Sequence, residues 1–476
     1  MIVKRLPYII FREYPEHGYL TDNRNFGYDT FSKSCKKVGD LILSKEASIF
    51  YSLLTEEPKN IDIIVKQLRE KYSDIAEETL YQDAIDFYSD LASKGFVYFE
   101  KSGQANICLP EYFSYSNTLE YKLELKKETK FKSFSQFSGT EYSLTRVHLD
   151  ISSRCNENCV HCYIPERDKR GLMSEEIFDD ILKQCVNMHV INITISGGEP
   201  MLNPNLNNFL RRCKQYNFSV NLLSNLTLLT NELLETIVSN PLISIQTSLY
   251  AMDERVHDSI TRNEGSFRKT IRAIKMLHDK NIPMQINCPI MKQNRNSYQE
   301  VLKFAESLNI ESSADFGLFG SYDCSVSNLS CRLDIDQIHE IVQSEYKLKS
   351  LKSEVQNKAE RKKIHSNDYI CSICKSSICI SNTGEIYPCE GLQGISLGNI
   401  SEQSLNEIWE FGQMTNKLRD LTFHDFMLCD LCENKEFCTP CLVLNANESK
   451  KRDFMKVNPL ICKITSIKKK EYELHH

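Results

Sequence analysis

Twelve of the nineteen cysteines are gathered into two short regions, three between residues 155 and 162 and nine between 371 and 462. This clustering constrains the fold more than any other feature. Dense thiols can serve as a disulfide framework or as metal ligands, and redox compartment decides between them. The N-terminal stretch MIVKRLPYIIFREYPEHG lacks the long apolar core and small-residue cleavage site of a signal peptide. No apolar run of about 18 residues is present to span a membrane. A cytoplasmic protein with reduced thiols is therefore expected, and tight clusters then suit metal ligation better than scattered bridges. The other seven cysteines, Cys35, Cys108, Cys185, Cys213, Cys288, Cys324 and Cys331, are expected to pack as small apolar side chains. A net charge of -6 gives no nucleic-acid footprint.

The chain of 476 residues is long enough for about two to four domains. Residues 1–105 open with strand candidates YIIFREY, GYLTDN and GYDTF, separated by Gly, Asn and Asp turn signals. Helical patterns follow, with Ser44 capping KEASIFYSLL, then Ile61, Ile64 and Leu68 on one face. Leu80, Ala84, Phe87 and Leu91 repeat at helical spacing, Gly95 supplies a stop, and FVYF closes the region. This order predicts a winged-helix-like module. Residues 106–145 read as a charged and polar linker.

From 146 to 325 the pattern changes to regular strand–helix alternation, with strands expected at RVHLDIS, INITIS, FSVNLL, ISIQTS, PMQINCPI and ADFGLF. SEEIFDDILKQCVNMH follows the first of these, with Ser174 as its cap and acids in its first turn. Six such units predict an α/β fold with a parallel sheet curled as a partial barrel, its active site at the carboxyl ends of the strands. Residues 326–368 read as a solvated bridging region, 369–463 as a domain where metal substitutes for core, and 464–476 as a tail.

Cys155, Cys159 and Cys162 form C-x3-C-x2-C directly after the first of these strands. Three ligands without a fourth nearby leave a coordination position open, and open positions serve chemistry rather than structure. Thirty-five residues beyond the triplet, ISGGEP ends the next strand. Together these motifs resemble the radical S-adenosylmethionine (SAM) superfamily. The resemblance implies a partial (β/α)6 barrel, a [4Fe–4S] cluster on the three thiolates and SAM on the fourth iron. It implies SAM contacts from Gly197, Gly198, Glu199 and Pro200, from Ser224 and Asn225 in LLSNLT, from Ser248 in IQTSLYA and from Arg262. Tyr163 takes the aromatic position expected near the adenine. Tyr250 stands where the family pattern has Asp, so contacts expected from that acid are not carried over.

The second cysteine region resembles the SPASM domain, which carries two auxiliary [4Fe–4S] clusters. That resemblance assigns Cys371, Cys389 and Cys441 to one cluster, with Cys374 as fourth ligand, Cys379 as the rival, or an open iron. It assigns Cys429, Cys432, Cys438 and Cys462 to the other. Two residues rather than three separate Cys438 from Cys441, the one departure from the pattern. A zinc ribbon is the competing reading of such paired motifs. Residues 1–105 resemble the PqqD-like leader-recognition domain, in which a leader peptide adds as an extra strand at a sheet edge.

Combined, the resemblances imply a maturase of ribosomally made peptides that uses a 5′-deoxyadenosyl radical to remove hydrogen from an unactivated carbon. Three [4Fe–4S] clusters and SAM would be the cofactors, and a flavodoxin or ferredoxin the electron donor. Thioether (sulfur-to-carbon) crosslinking of a leader-bearing precursor peptide is the expected outcome. Carbon–carbon crosslinking, maturation of a folded protein and a non-catalytic leader-binding role are the alternatives. No residue beyond the SAM cluster is expected to be catalytic, and neither a nucleic acid nor a membrane is expected as a partner.

Overall fold

A computed structural model describes residues 1–28, 38–101, 104–105, 142–352 and 363–475. The N-terminal module has two small sheets. Strands β1 (Ile2–Arg5), β5 (Lys59–Asn60), β6 (Val97–Lys101) and β7 (Gln104–Ala105) form one, in the order β5-β1-β6-β7. Strands β2 (Ile9–Glu13), β3 (His17–Asp22) and β4 (Asp40–Ser44) form the other, an antiparallel meander. Ser44 caps helix Lys45–Ser52 by accepting from Ala47 N, as its position before an apolar stretch requires. Ile61, Ile64 and Leu68 are buried on one side of helix Ile61–Lys71. In helix Glu77–Ser93 the buried row is Leu80, Ala84, Tyr88 and Leu91, with Phe87 at its margin, edge-on to Phe50 at 5.6 Å. Gly95 takes φ 84° just after that helix, the stop its sequence announced.

Two N-terminal expectations need correction. The third strand of the meander is DLILS at Asp40–Ser44, not GYDTF: Gly27 and Tyr28 lie outside any strand, and 29–31 fall outside the described residues. Strand β1, only four residues long, was not expected at all. The linker is outside the described residues over 106–141, as are Cys35 and Cys108.

Among the described residues the main sheet contains nine strands. Strands β8 (Arg146–Ser152), β9 (Asn192–Gly197), β10 (Ser219–Leu223), β11 (Ile243–Ser248), β12 (Met284–Pro289) and β13 (Glu311–Asp315) lie side by side in chain order, all parallel. The first five alternate apolar and polar side chains. Val147, Leu149, Ile151, Ile193, Ile195, Val220, Leu222, Ile245 and Ile286 join one apolar core with residues of the intervening helices. The opposite face is polar: His148, Thr194, Asn221 and Ser244 are neighbours in register across four strands. The first five strands follow the expected runs within a residue or two. The sixth does not: the strand is Glu311–Asp315 rather than ADFGLF. As the edge strand it pairs, among the described residues, with β12 alone, so a polar sequence suffices there.

On the other side of β8 the sheet continues into the second cysteine region. Strand β14 (Ser377–Ile380) runs parallel to β8, then β15 (Glu385–Tyr387) and β16 (Gly398–Asn399) add antiparallel. The stretch read as a solvated bridge holds helix Ile335–Lys352, whose Ile338, Ile341 and Val342 enter the main core; residues 353–362 are outside the description. Residues 464–475 are not a free tail either. They continue helix Pro459–His475, where Ile464 and Ile467 pack on that core and buried Glu471 Oε1 accepts from His339 Nε2 at 2.8 Å. Among the described residues no helix is long and apolar enough to cross a membrane.

The N-terminal module sits on the amino ends of the parallel strands. Ile10 and Tyr19 share an apolar cluster with Ile191 and Leu242. Arg12 Nε donates to Val190 O at 2.7 Å, and its guanidinium lies over Phe218. Asn217 bridges to β2, accepting from Phe11 N at 2.8 Å and donating to Ile9 O at 3.2 Å. Beyond β3 the chain reaches the polar face: Asn221 Nδ2 donates to Phe26 O at 3.1 Å and Tyr28 Oη donates to Gln246 Oε1 at 2.5 Å.

Candidate active site

At the carboxyl end of β8 the chain turns into the loop bearing Cys155, Cys159 and Cys162, all partly buried. β9 delivers Gly197, Gly198 and Glu199 directly against the base of that loop. Gly198 N donates to Ser152 O at 2.6 Å and Glu199 N to Arg154 O at 2.8 Å. A Cβ on Gly197 would stand 2.0 Å from Ser152 O, and one on Gly198 would stand 2.4 Å from Arg154 O; Gly197 also has φ 131°. Only glycine permits this approach. The far side of the loop is pinned to the end of helix Glu254–Thr261, with Asn158 N donating to Thr261 O at 3.0 Å and Val160 N to Ile260 O at 2.9 Å.

Glu199 is fully buried. Its Oε1 accepts from Ser224 Oγ at 2.7 Å and Met201 N at 2.9 Å, and its Oε2 from Asn225 N at 2.8 Å. Burial pushes its pKa up to about 7, against the pull of those three donors. A carboxylate so placed fits an ammonium group of the kind SAM carries. Asn225 Nδ2 donates to Asn156 Oδ1 at 3.0 Å, and Asn156 Nδ2 to Thr227 Oγ1 at 2.7 Å, so the strand end after β10 is tied to the cysteine loop. Burial likewise raises Cys155 to about 12 and carries Cys159 in the same direction. Bare thiols therefore stay protonated, whereas bound metal removes the proton. Three convergent thiols, with Glu157 N donating to Cys155 Sγ at 3.4 Å, fit an iron–sulfur cluster.

The remaining expected contacts are distributed around this centre. Pro200 is buried at the start of a short 3-10 turn, and Ser248 ends β11. Arg262 is exposed and left-handed (φ 53°), immediately after the two carbonyls that pin the loop. Tyr163 is packed against Phe319, ring centroids 5.0 Å apart, and Tyr322 N donates to its carbonyl at 3.3 Å. Two neighbours, His161 and Asn156, and the contact made by a third, Tyr250, escaped the sequence reading. His161, between Cys159 and Cys162, meets Tyr250 with centroids 5.3 Å apart and Nε2 3.5 Å from Tyr250 Oη. Burial lowers the His161 pKa to about 4, so its ring is neutral. Tyr250, the residue standing in for Asp, thus covers the cysteine loop. Its carbonyl is held by Asn294 Nδ2 at 2.8 Å. For Asn156, its position inside the C-x3-C spacing was the available signal.

In the second cysteine region, Cys371, Cys374, Cys389 and Cys441, and also Cys429, belong to one apolar cluster with Ile370, Leu392 and Leu442. Cys429, Cys432, Cys438 and Cys462 line a single cavity. Cys379 lies on β14 opposite His148, with Sγ 3.7 Å from Asp150 Oδ2. Of the cysteines expected to act as packing, Cys185, Cys213, Cys288 and Cys331 are buried, and Cys324 is half-buried.

Residues 149–305 match the radical SAM superfamily, and residues 371–442 match the SPASM iron–sulfur cluster-binding domain. The chain is a radical SAM enzyme. SAM and iron–sulfur clusters are its cofactors. This radical SAM enzyme is 25% identical to the AdoMet-dependent heme synthase of Methanosarcina barkeri (strain Fusaro / DSM 804), over 62% of this chain and 90% of that protein. It is 24% identical to the antilisterial bacteriocin subtilosin biosynthesis protein AlbA of Bacillus subtilis (strain 168), over 71% of this chain and 77% of that protein. Its fold is similar to Streptococcus suis SuiB bound to precursor peptide SuiA, with TM-score 0.57 and 15% identity, covering 96% of this chain and 99% of that one.

Proposed function

We propose that this radical SAM enzyme matures a ribosomally made precursor peptide by forming thioether crosslinks between a cysteine sulfur and a carbon. The observation that carries the precursor-peptide part of this reading is the extent of the likeness to SuiB, which takes in the N-terminal module as well as both cysteine regions. The relationship to the subtilosin biosynthesis protein points the same way. The N-terminal module would act as the PqqD-like receptor. Among the described residues β4 pairs only with β3, and its other edge would offer backbone groups to a leader strand.

Cys155, Cys159 and Cys162 would hold the SAM cluster, Glu199 the SAM ammonium, and Ser224 and Asn225 would keep the Glu199 carboxylate aimed. Tyr163, Gly197, Gly198, Pro200, Ser248 and Arg262 would complete the SAM pocket. Cys371, Cys374, Cys389 and Cys441 would hold one auxiliary cluster, and Cys429, Cys432, Cys438 and Cys462 the other, three [4Fe–4S] clusters in all. When bound, these groups supply one-electron chemistry: hydrogen-atom removal from carbon, then uptake of the electron released as the sulfur–carbon bond closes. The peptide then loses one hydrogen as an atom from carbon and one as a proton from the thiol. Arg12, Asn217 and Tyr28 fix the receptor relative to the polar face, so a bound leader would deliver the following residues at a set distance. A flavodoxin or ferredoxin would supply the priming electron.

The test is anaerobic incubation of the reconstituted enzyme with SAM, a reductant and a precursor peptide. A loss of two hydrogens per crosslink, with the site at a cysteine by tandem mass spectrometry, is expected. 5′-Deoxyadenosine without any change in peptide mass would refute the crosslinking assignment.

A further inference from the structure

The polar face of the main sheet holds a group of side chains outside the ligand sets proposed above for the SAM centre and the auxiliary clusters. His148 and Asp150 stand two apart on β8, and so point the same way. Cys379 on β14 is the register partner of His148. One ligand atom from each of the three lies within 4.8 Å of the others, the one such trio among the described residues. His148 Nε2 is 3.1 Å from Asp150 Oδ1, and Cys379 Sγ is 3.7 Å from Asp150 Oδ2. Cys379 is wholly buried, and the Asp150 and His148 side chains are only 9% and 15% exposed. Gln393 Nε2 donates to Asp150 Oδ2, fixing that carboxylate from the outside. Asp150 also borders a cleft with Ser152, Gly197, Tyr322, Tyr387 and Arg452, which gives the group access to solvent next to the cysteine loop.

We propose that His148, Asp150 and Cys379 form a mononuclear transition-metal site, best suited to zinc, with its fourth position open toward that cleft. One nitrogen, one oxygen and one sulfur donor make a borderline-soft set that disfavours magnesium and calcium. Three protein ligands plus an open position is the arrangement of reactive rather than structural zinc. All three ligands stand on paired strands of one sheet, so little ordering is needed on binding. Gln393 has the place of an outer partner that orients a ligating carboxylate. The open position would accept the thiolate or carbonyl oxygen of a bound peptide. That last role rests on the peptide reading above, whereas the presence of the metal does not.

The experiment uses the anaerobically reconstituted holoenzyme, equilibrated with zinc at a fixed free concentration and then desalted. Zinc and iron per chain are counted together. About one zinc per chain is expected in addition to iron, with zinc-edge X-ray absorption showing a single sulfur at about 2.3 Å beside nitrogen and oxygen. Cys379→Ser and Asp150→Asn should empty the site at unchanged iron content, and Gln393→Leu should weaken zinc binding about 10- to 100-fold. Zinc absent from the parent enzyme would overturn the site. So would zinc retained equally by the variants, or a spectrum showing several sulfur ligands. The absorption spectrum of the parent enzyme decides the matter even if a variant fails to fold.

Discussion

In the proposed SAM pocket, Glu199 is the residue expected to bear most directly on binding. Its proton is held more tightly in the folded protein than at the ordinary carboxyl value of 4.5, because burial raises the pKa to about 7. The stability this contributes is present below pH 4.5 and is lost as pH rises toward 7. Binding of a cationic ammonium has the opposite preference, since it needs the ionised carboxylate. SAM affinity of the reconstituted enzyme, followed by calorimetry, should therefore rise between pH 6 and pH 8, and Glu199→Gln should be about tenfold weaker and flat with pH. Gly197→Ala should fail for a steric reason: the new methyl meets a backbone carbonyl that cannot move without displacing the cysteine loop. A loss of about 2 kcal/mol or more in thermal unfolding, together with lower iron content, is expected. The motif residues were legible because short-range spacing encodes them. His161 and Tyr250 were not, because their contact joins positions 89 residues apart and one sequence carries no pairing information.

Among the elements, strict alternation made β8 to β12 readable even in a parallel sheet. One face of each strand meets helices, while the other is polar and faces the site. The sequence reading slipped where an element needs little apolar character or has too little length to show a period. β13 is a polar edge strand, β1 has four residues, and the Leu-Ile-Leu run of β4 does not alternate. The C-terminal helix was missed for a different reason. Its lysine-rich sequence looks solvated, yet Ile464, Thr465, Ile467 and Glu471 all turn inward. Ending the chain at residue 463 should cost about 3–5 kcal/mol, the burial of two isoleucines with part of a buried hydrogen bond. It should also reduce iron bound next to Cys462. Unfolding in denaturant and iron analysis of the truncated protein provide the check.

For the molecule as a whole, the N-terminal module is built into the enzyme rather than tethered to it. Removing residues 1–105 would uncover Ile191, Leu242 and Phe218, so a truncated chain should aggregate. Loss of activity in it would say nothing about leader recognition. Ile42, 38% exposed on β4, offers a cleaner probe. Ile42→Asp should leave thermal unfolding and SAM cleavage unchanged while weakening precursor-peptide binding about tenfold or more, as read by fluorescence anisotropy. The central claim is that one chain joins a SAM-binding cluster to two auxiliary clusters for oxidative crosslinking. Counting iron and acid-labile sulfide per chain after anaerobic reconstitution tests it most directly. About twelve irons per chain, three clusters of four, are predicted. About four irons, with zinc bound through several sulfurs at Cys429, Cys432, Cys438 and Cys462, would contradict it.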